Sequence, residues 1–253
     1  MTRDERGAHS ERRLKLGGRR GRRGRRAVWA RAAWAAATLA VSPLAAPAHE
    51  GADSHDAPRA SDRLYDPPAP GTYRLPPIQQ IAEHWLLRPD ASKALVIDPS
   101  FAATVVAFVY RSCGDPAGCP LSLATLRELD RLLAERPALR ARTRLVTVSF
   151  DPSRDTPEAM GELAAALAPR GPWDLLTSRG PSAIGPVLAD FGQDVVAELA
   201  EDGSPAGPLG HVLKVFLVDD GSRVRNIYSV GFLDAVVIRN DIETILLAAD
   251  TER

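Results

Sequence analysis

Ala103-Thr-Val-Val-Ala-Phe-Val-Tyr110-Arg-Ser-Cys113-Gly-Asp-Pro-Ala-Gly-Cys119-Pro120-Leu121 is the stretch whose reading decides the fold. Its first eight residues form a nearly continuous apolar run rich in β-branched types, the pattern of a strand covered on both faces. From Leu121 to Leu133 the apolar positions 123, 126, 129 and 133 have helical spacing. Cys113 therefore lies in a strand-to-helix loop and Cys119 opens the helix. A helix N-terminus offers unpaired N–H groups and partial positive charge, which favour a thiolate. The thiolate is the form that attacks as a nucleophile or ligates a soft metal.

Downstream, Leu145-Val-Thr-Val-Ser-Phe150 reads as the next buried strand. Asp155-Thr156-Pro157-Glu158 opens a helix with a capping residue, a first-turn proline and an acidic residue at the positive end. Trp173–Leu176 is a third strand and Ser182–Phe191 a further helix. Val212–Val218 and Val224–Val230 flank Asp219-Asp220-Gly221-Ser222 as a hairpin, and a helix over 234–249 closes the chain. This order is that of an α/β protein of the thioredoxin-like sandwich type, a central mixed sheet flanked by helices. The expected organisation is an export signal over 1–48, a flexible, Pro/Ala-rich lead-in over 49–76, and one domain over 77–253.

The chain is 45% hydrophobic and 25% charged, fractions of a globular rather than a disordered protein. Its zero net charge conceals a division. Residues 1–31 hold 12 Arg or Lys against 3 acidic residues, and the remainder carries 20 basic and 29 acidic, a net of −9. An acidic body excludes a nucleic-acid partner, which requires basic patches to displace phosphate counterions. The arginine-rich start, the apolar run from Ala32 to Ala48 and Ala46-Pro47-Ala48 have the shape of a cleavable export signal. The competing reading is an uncleaved anchor, although 17 residues with Pro43 and Pro47 fall short of the roughly 20 that span a bilayer. The expected location is periplasmic or otherwise exported, with membrane contact only if the leader stays attached.

The two cysteines sit in one short loop. A bridge there constrains the unfolded chain little, so reactive or metal-binding thiols are favoured over a structural disulfide. His211 follows the Gly/Pro-rich segment 203–210 and enters a buried strand. In a thioredoxin-like fold that entry faces the cysteine loop. Two thiolates and an imidazole suit Cu(I), because soft sulfur selects that ion. His49, the new amino terminus after cleavage, and nearby His55 can bind Cu(II) or remain solvated. His84 stands apart and reads as structural or exposed.

Three blocks, Val105–Leu121, Ser149-Phe-Asp-Pro-Ser-Arg-Asp-Thr-Pro157, and Gly210-His211 followed by Val215-Phe-Leu-Val-Asp-Asp-Gly221, resemble the Sco/SenC family in order and spacing. The resemblance implies a thioredoxin fold with Cys113, Cys119 and His211 as copper ligands. It also implies a periplasmic role in maturing the dinuclear copper site of cytochrome oxidase, by copper delivery or by reducing that site's cysteines. Asp151 and Asp155 match acidic positions of the family and read first as strand-end and helix-capping groups, then as partner contacts. The chain departs from the family twice. Five residues, Gly114 to Gly118, separate the cysteines instead of three, and Gly210 stands where an acidic residue usually precedes the histidine.

Four functions follow: a copper chaperone handing its cargo to a cuproenzyme, a thiol-disulfide oxidoreductase acting on a periplasmic thiol partner, a peroxiredoxin-like peroxidase, and a binding domain with inert cysteines. The first two fit the motifs best and share the same thiols.

Overall fold

Side chains alternate across a strand, so a run buried at every position needs cover on both faces of its sheet. The computed structural model, which describes residues 65–199 and 205–251, supplies that cover. Its elements are β1 (Gln79–Gln80), β2 (Trp85–Leu87), β3 (Lys93–Leu95), β4 (Ala103–Val109), α1 (Cys119–Ala134), α2 (Pro137–Ala141), β5 (Thr143–Ser149), α3 (Pro157–Leu167), β6 (Trp173–Leu176), α4 (Pro181–Asp190), β7 (Val195–Leu199), β8 (Pro205–His211), β9 (Val215–Asp219), β10 (Arg223–Tyr228) and α5 (Ala235–Thr251). Six strands make one mixed sheet in the order β1-β10-β9-β4-β5-β6. β4, β5 and β6 run parallel, and β9 is antiparallel to β4.

Odd residues of β4 (Ala103, Val105, Ala107) meet Leu126 and Leu129 of α1, Met160 of α3 and Ile238 and Ile242 of α5. Val106 and Phe108 face the other way, toward Ile184 and Val187 of α4 and Leu86 of β2. There Phe108, Phe191 and Phe216 pack edge to face at 5.1–5.9 Å between ring centres. This is the expected sandwich, with helices on both faces.

Three local differences have physical causes. β5 begins at Thr143 rather than Leu145, because Arg144 is buried within it. Its guanidinium bonds Asp174 of β6 at 2.8 Å and the carbonyls of Leu95 and Val96 at 2.9 and 3.1 Å, so a charge that resembled a strand boundary is neutralised inside the fold. Asp174 also accepts from Arg88. Burial pushes its pKa up, but the two arginines outweigh that and hold it below the usual carboxylate value.

The second difference is a separate hairpin, β7–β8, formed by the segment read as a Gly/Pro-rich turn. His211 is its last residue, and 212–214 is the passage from this hairpin into β9. Only from Val215 does the expected β9–β10 hairpin begin.

The third concerns the lead-in. From residue 65 the chain is tied to α5 and β10. Asn240 Nδ2 donates to the Pro68 carbonyl, the Gly71 N–H donates to Thr244 Oγ1, the Tyr73 hydroxyl donates to Asp241, and Arg225 Nε donates to the Leu75 carbonyl. These contacts hold Pro68, Gly71, Tyr73 and Leu75 of the expected lead-in against α5 and β10. The remaining lead-in, with His49 and His55, and the expected leader over 1–48 lie outside the described residues. Among the described residues no helix is long and apolar enough to cross a membrane.

Candidate functional site

β4 ends at Val109 and delivers Tyr110, Arg111 and the cysteine loop to one edge of the sandwich. The backbone there is anchored by Asp155, 2% exposed, whose Oδ2 accepts from the Arg111 N–H at 3.0 Å and the Ser149 hydroxyl at 2.6 Å. Asp155 therefore clamps the exits of two neighbouring strands. It does not cap α3. That role falls to Thr156, whose hydroxyl accepts from the Ala159 N–H. Asp151 is also buried and pairs with Arg154 at 2.9 Å.

Beyond Arg111 the loop folds on itself. The Gly118 N–H donates to the Asp115 carbonyl at 3.0 Å, the Ala117 N–H donates to Asp115 Oδ1 at 3.0 Å, and the Cys113 thiol points back toward the Asp115 carbonyl at 3.9 Å. A Cβ on Gly118 would lie 3.3 Å from the Cys113 sulfur and from Asp115, so glycine lets the five-residue loop close this tightly. Pro120 then starts α1 at a position where its missing N–H costs nothing.

The cysteines are both free thiols with unlike surroundings. Cys113 is partly exposed and Cys119 is buried. Cys119 Sγ accepts from the Tyr110 N–H at 3.4 Å, which favours a thiolate. Burial overrides that bond, and with the nearby Cys113 it pushes the Cys119 thiol up to about 12. The activation expected from the helix N-terminus is thus reversed at Cys119 by desolvation.

His211 is brought in by β8, with Val195 of β7 as its register partner. Its Nε2 lies 3.7 Å from Cys119 Sγ. The imidazole is flanked by Phe150 at 4.9 Å and, edge-on, by Tyr110 at 6.0 Å between ring centres. The Tyr110 hydroxyl is pushed above its ordinary value, first by burial and then by Cys113 and Cys119. Tyr110 and Phe150 are site residues that sequence reading missed. Their signal was an aromatic at the end of each of two adjacent buried strands.

The structure thus joins Cys119 to His211 directly and sets Cys113 beside Cys119. Among the described residues no three His, Cys, Asp or Glu side chains are closed around a common metal position. The donor set nonetheless fits a soft cation. Ligand bonds of about 2.3 Å to sulfur and about 2.05 Å to nitrogen, as at zinc, open at about 120° leave sulfur and nitrogen about 3.8 Å apart. The observed 3.7 Å matches this separation. Cys113, on its glycine-flanked loop, adjoins this pair and would supply a third donor. A hollow lined by Val109, Pro120, Leu123 and Leu163 opens beside the two cysteines.

Gly210 has room. A Cβ there would touch only the Val196 carbonyl at 3.5 Å, so packing does not impose the missing carboxylate. His84 lies elsewhere, bonded to Asp190 at 2.8 Å and partly buried, as a structural histidine.

No curated protein matches the chain in sequence. Solved structures do match in fold. The copper-bound ScoI of Arabidopsis thaliana is 19% identical with a TM-score of 0.55, covering 66% of this chain and 98% of that one. A SCO1/SenC family lipoprotein from Bacillus anthracis is 21% identical with a TM-score of 0.57, covering 69% and 99%. BsSco, described as a Sco-family cytochrome c oxidase assembly protein with a disulfide switch, is 19% identical with a TM-score of 0.52, covering 68% and 98%. These likenesses establish the thioredoxin-like fold. The SCO1/SenC family model matches residues 97–247, more than half of the chain and the whole region that builds the site, and the chain belongs to that family.

Proposed function

We propose that this chain is an exported copper chaperone that holds Cu(I) through Cys113, Cys119 and His211. It passes the ion, as cargo, to a cuproenzyme such as the dinuclear copper site of cytochrome c oxidase. The observation that carries this reading is the 3.7 Å approach of Cys119 Sγ to His211 Nε2, with a second thiol adjoining. Two sulfurs and an imidazole are the donors that Cu(I) selects. The copper-bound relative and the family's link to oxidase assembly support it. Each residue has a distinct task. Cys119 presents a buried sulfur, His211 an imidazole fixed by aromatic neighbours, and Cys113 an accessible sulfur through which a recipient's ligands can enter. Loading releases the Cys119 proton, so affinity rises with pH.

An anaerobic Cu(I) titration of the reduced protein against a competing chelator tests the proposal. One copper per chain is expected, with tight binding lost in Cys113→Ser, Cys119→Ser and His211→Ala. Wild-type affinity in His211→Ala would remove the imidazole from the site.

The unequal burial of the two free thiols favours a second use of the same pair. The partly exposed Cys113 thiol gives up its proton, attacks a partner disulfide and expels one partner thiolate. Cys119, giving up its proton, then attacks the Cys113 sulfur and expels the first-bonded partner sulfur. The chain ends oxidised and the partner reduced.

A further inference from the structure

Among the described residues β7 and β8 pair with each other and with no other strand, so the root of their hairpin acts beside the Phe150 and Tyr110 rings in fixing His211 against Cys119. Gln193 sits at that root, between α4 and β7, and is 3% exposed. Its Nε2 donates to the Val212 carbonyl at 3.0 Å and to the Asp194 carbonyl at 3.4 Å. Both partners can only accept, which settles the orientation of the amide. The Gln193 N–H is itself anchored on the Leu188 carbonyl of α4 at 2.8 Å. Beside it, Lys214 Nζ donates to the Gly192 carbonyl at 2.6 Å. Two bonds therefore join 192–193 on the incoming leg to 212–214 on the outgoing leg, immediately after His211.

The other end of the Gln193 amide points to the reason for having it there. Oε1 is buried and finds no partner among the described residues. A buried acceptor left unpaired is costly, and an apolar side chain of similar volume would avoid that cost. The donor half is what the position uses.

We infer that Gln193 is a positioning residue whose amide, by holding the Val212 carbonyl, keeps the His211 imidazole over the Cys119 sulfur. The inference rests on the reading that His211 ligates the metal. Gln193→Met preserves volume while removing both the donor and the orphaned acceptor. In the reduced, metal-free full chain it is expected to speed amide hydrogen exchange across Val195–Leu199 and at His211 about tenfold, the loss of one net hydrogen bond. Cu(I) affinity should fall by a similar factor, and Gln193→Met should add nothing in the His211→Ala background. Lys214→Met, at a more exposed position, should shift the same exchange in the same direction.

Unchanged hairpin exchange in Gln193→Met overturns the inference, as does an equal loss of affinity with and without His211. If Gln193→Met does not fold, unchanged exchange in Lys214→Met overturns it instead. Wild-type Cu(I) affinity in His211→Ala refutes the functional reading alone, since the metal-free exchange result still tests whether Gln193 holds the hairpin.

Discussion

Labelling of Cys119 by a thiol reagent turns the burial of one side chain into a measurable rate. Its pKa is pushed from 9.0 to about 12, chiefly by desolvation. Near pH 7 the thiolate is the reactive form, and a shift of three units lowers its population about a thousandfold. A more basic thiolate is also a better nucleophile. With a Brønsted coefficient of about 0.4–0.5, the same shift recovers roughly 15–30-fold. The net expectation is that Cys119 in the reduced, metal-free folded chain is alkylated roughly 30–60-fold more slowly than the same residue in urea. Its 2% exposure slows it further. Iodoacetamide pulses at pH 7, quenched and read by peptide mass spectrometry, give both rates in one protein. Folded labelling should rise tenfold per pH unit between 9 and 12, where the unfolded rate has levelled off. A folded rate within threefold of the unfolded one would refute the reasoning, because it would mean that the Tyr110 N–H and the helix N-terminus outweigh burial.

Two further outcomes follow from the same geometry. Because the Cys119 pKa is raised on folding, the unfolded chain loses this proton first, and stability is full below pH 9 and declines as pH rises toward 12. The decline is about 1.4 kcal/mol per pH unit and should vanish in Cys119→Ser, so the difference between their urea midpoints with pH isolates it. Asp155→Ala leaves the Ser149 hydroxyl and Arg111 N–H without their acceptor. At about 1–3 kcal/mol for each donor, denaturant unfolding should show a loss of about 3 kcal/mol, with Asp155→Asn retaining part of it. No loss would mean that water replaces the carboxylate.

How legible these features were depended on whether a residue's neighbours lay close in sequence. β4 and β5 were plain because each carries a short, nearly continuous apolar run rich in β-branched residues, Thr104–Val106 in one and Val146–Val148 in the other, the pattern of a doubly covered strand. Arg144 was not, since a strand-interior arginine makes sense only once Asp174, 30 residues on, is seen to meet it. The β7–β8 hairpin was read as a turn because Pro205, Gly207, Pro208 and Gly210 carry turn chemistry, and nothing local reveals that they pair with Val195–Leu199. The nearness of Cys119 to Cys113 and His211 was legible by motif and by fold order. The aromatic walls at Tyr110 and Phe150 and the Gln193 contact with Val212 depend on side chains meeting across the sheet edge, which spacing does not encode. The sign of the Cys119 shift was missed for a related reason, since the helix start is local and burial is not.

The most direct test of the proposed copper site is X-ray absorption at the copper edge of the reduced protein carrying one Cu(I), beside Cys113→Ser and His211→Ala. Two sulfurs and one imidazole nitrogen are expected in the wild type, with one sulfur lost in the first variant and the nitrogen lost in the second. A wild-type spectrum with sulfur ligands only, unchanged by His211→Ala, would contradict the account.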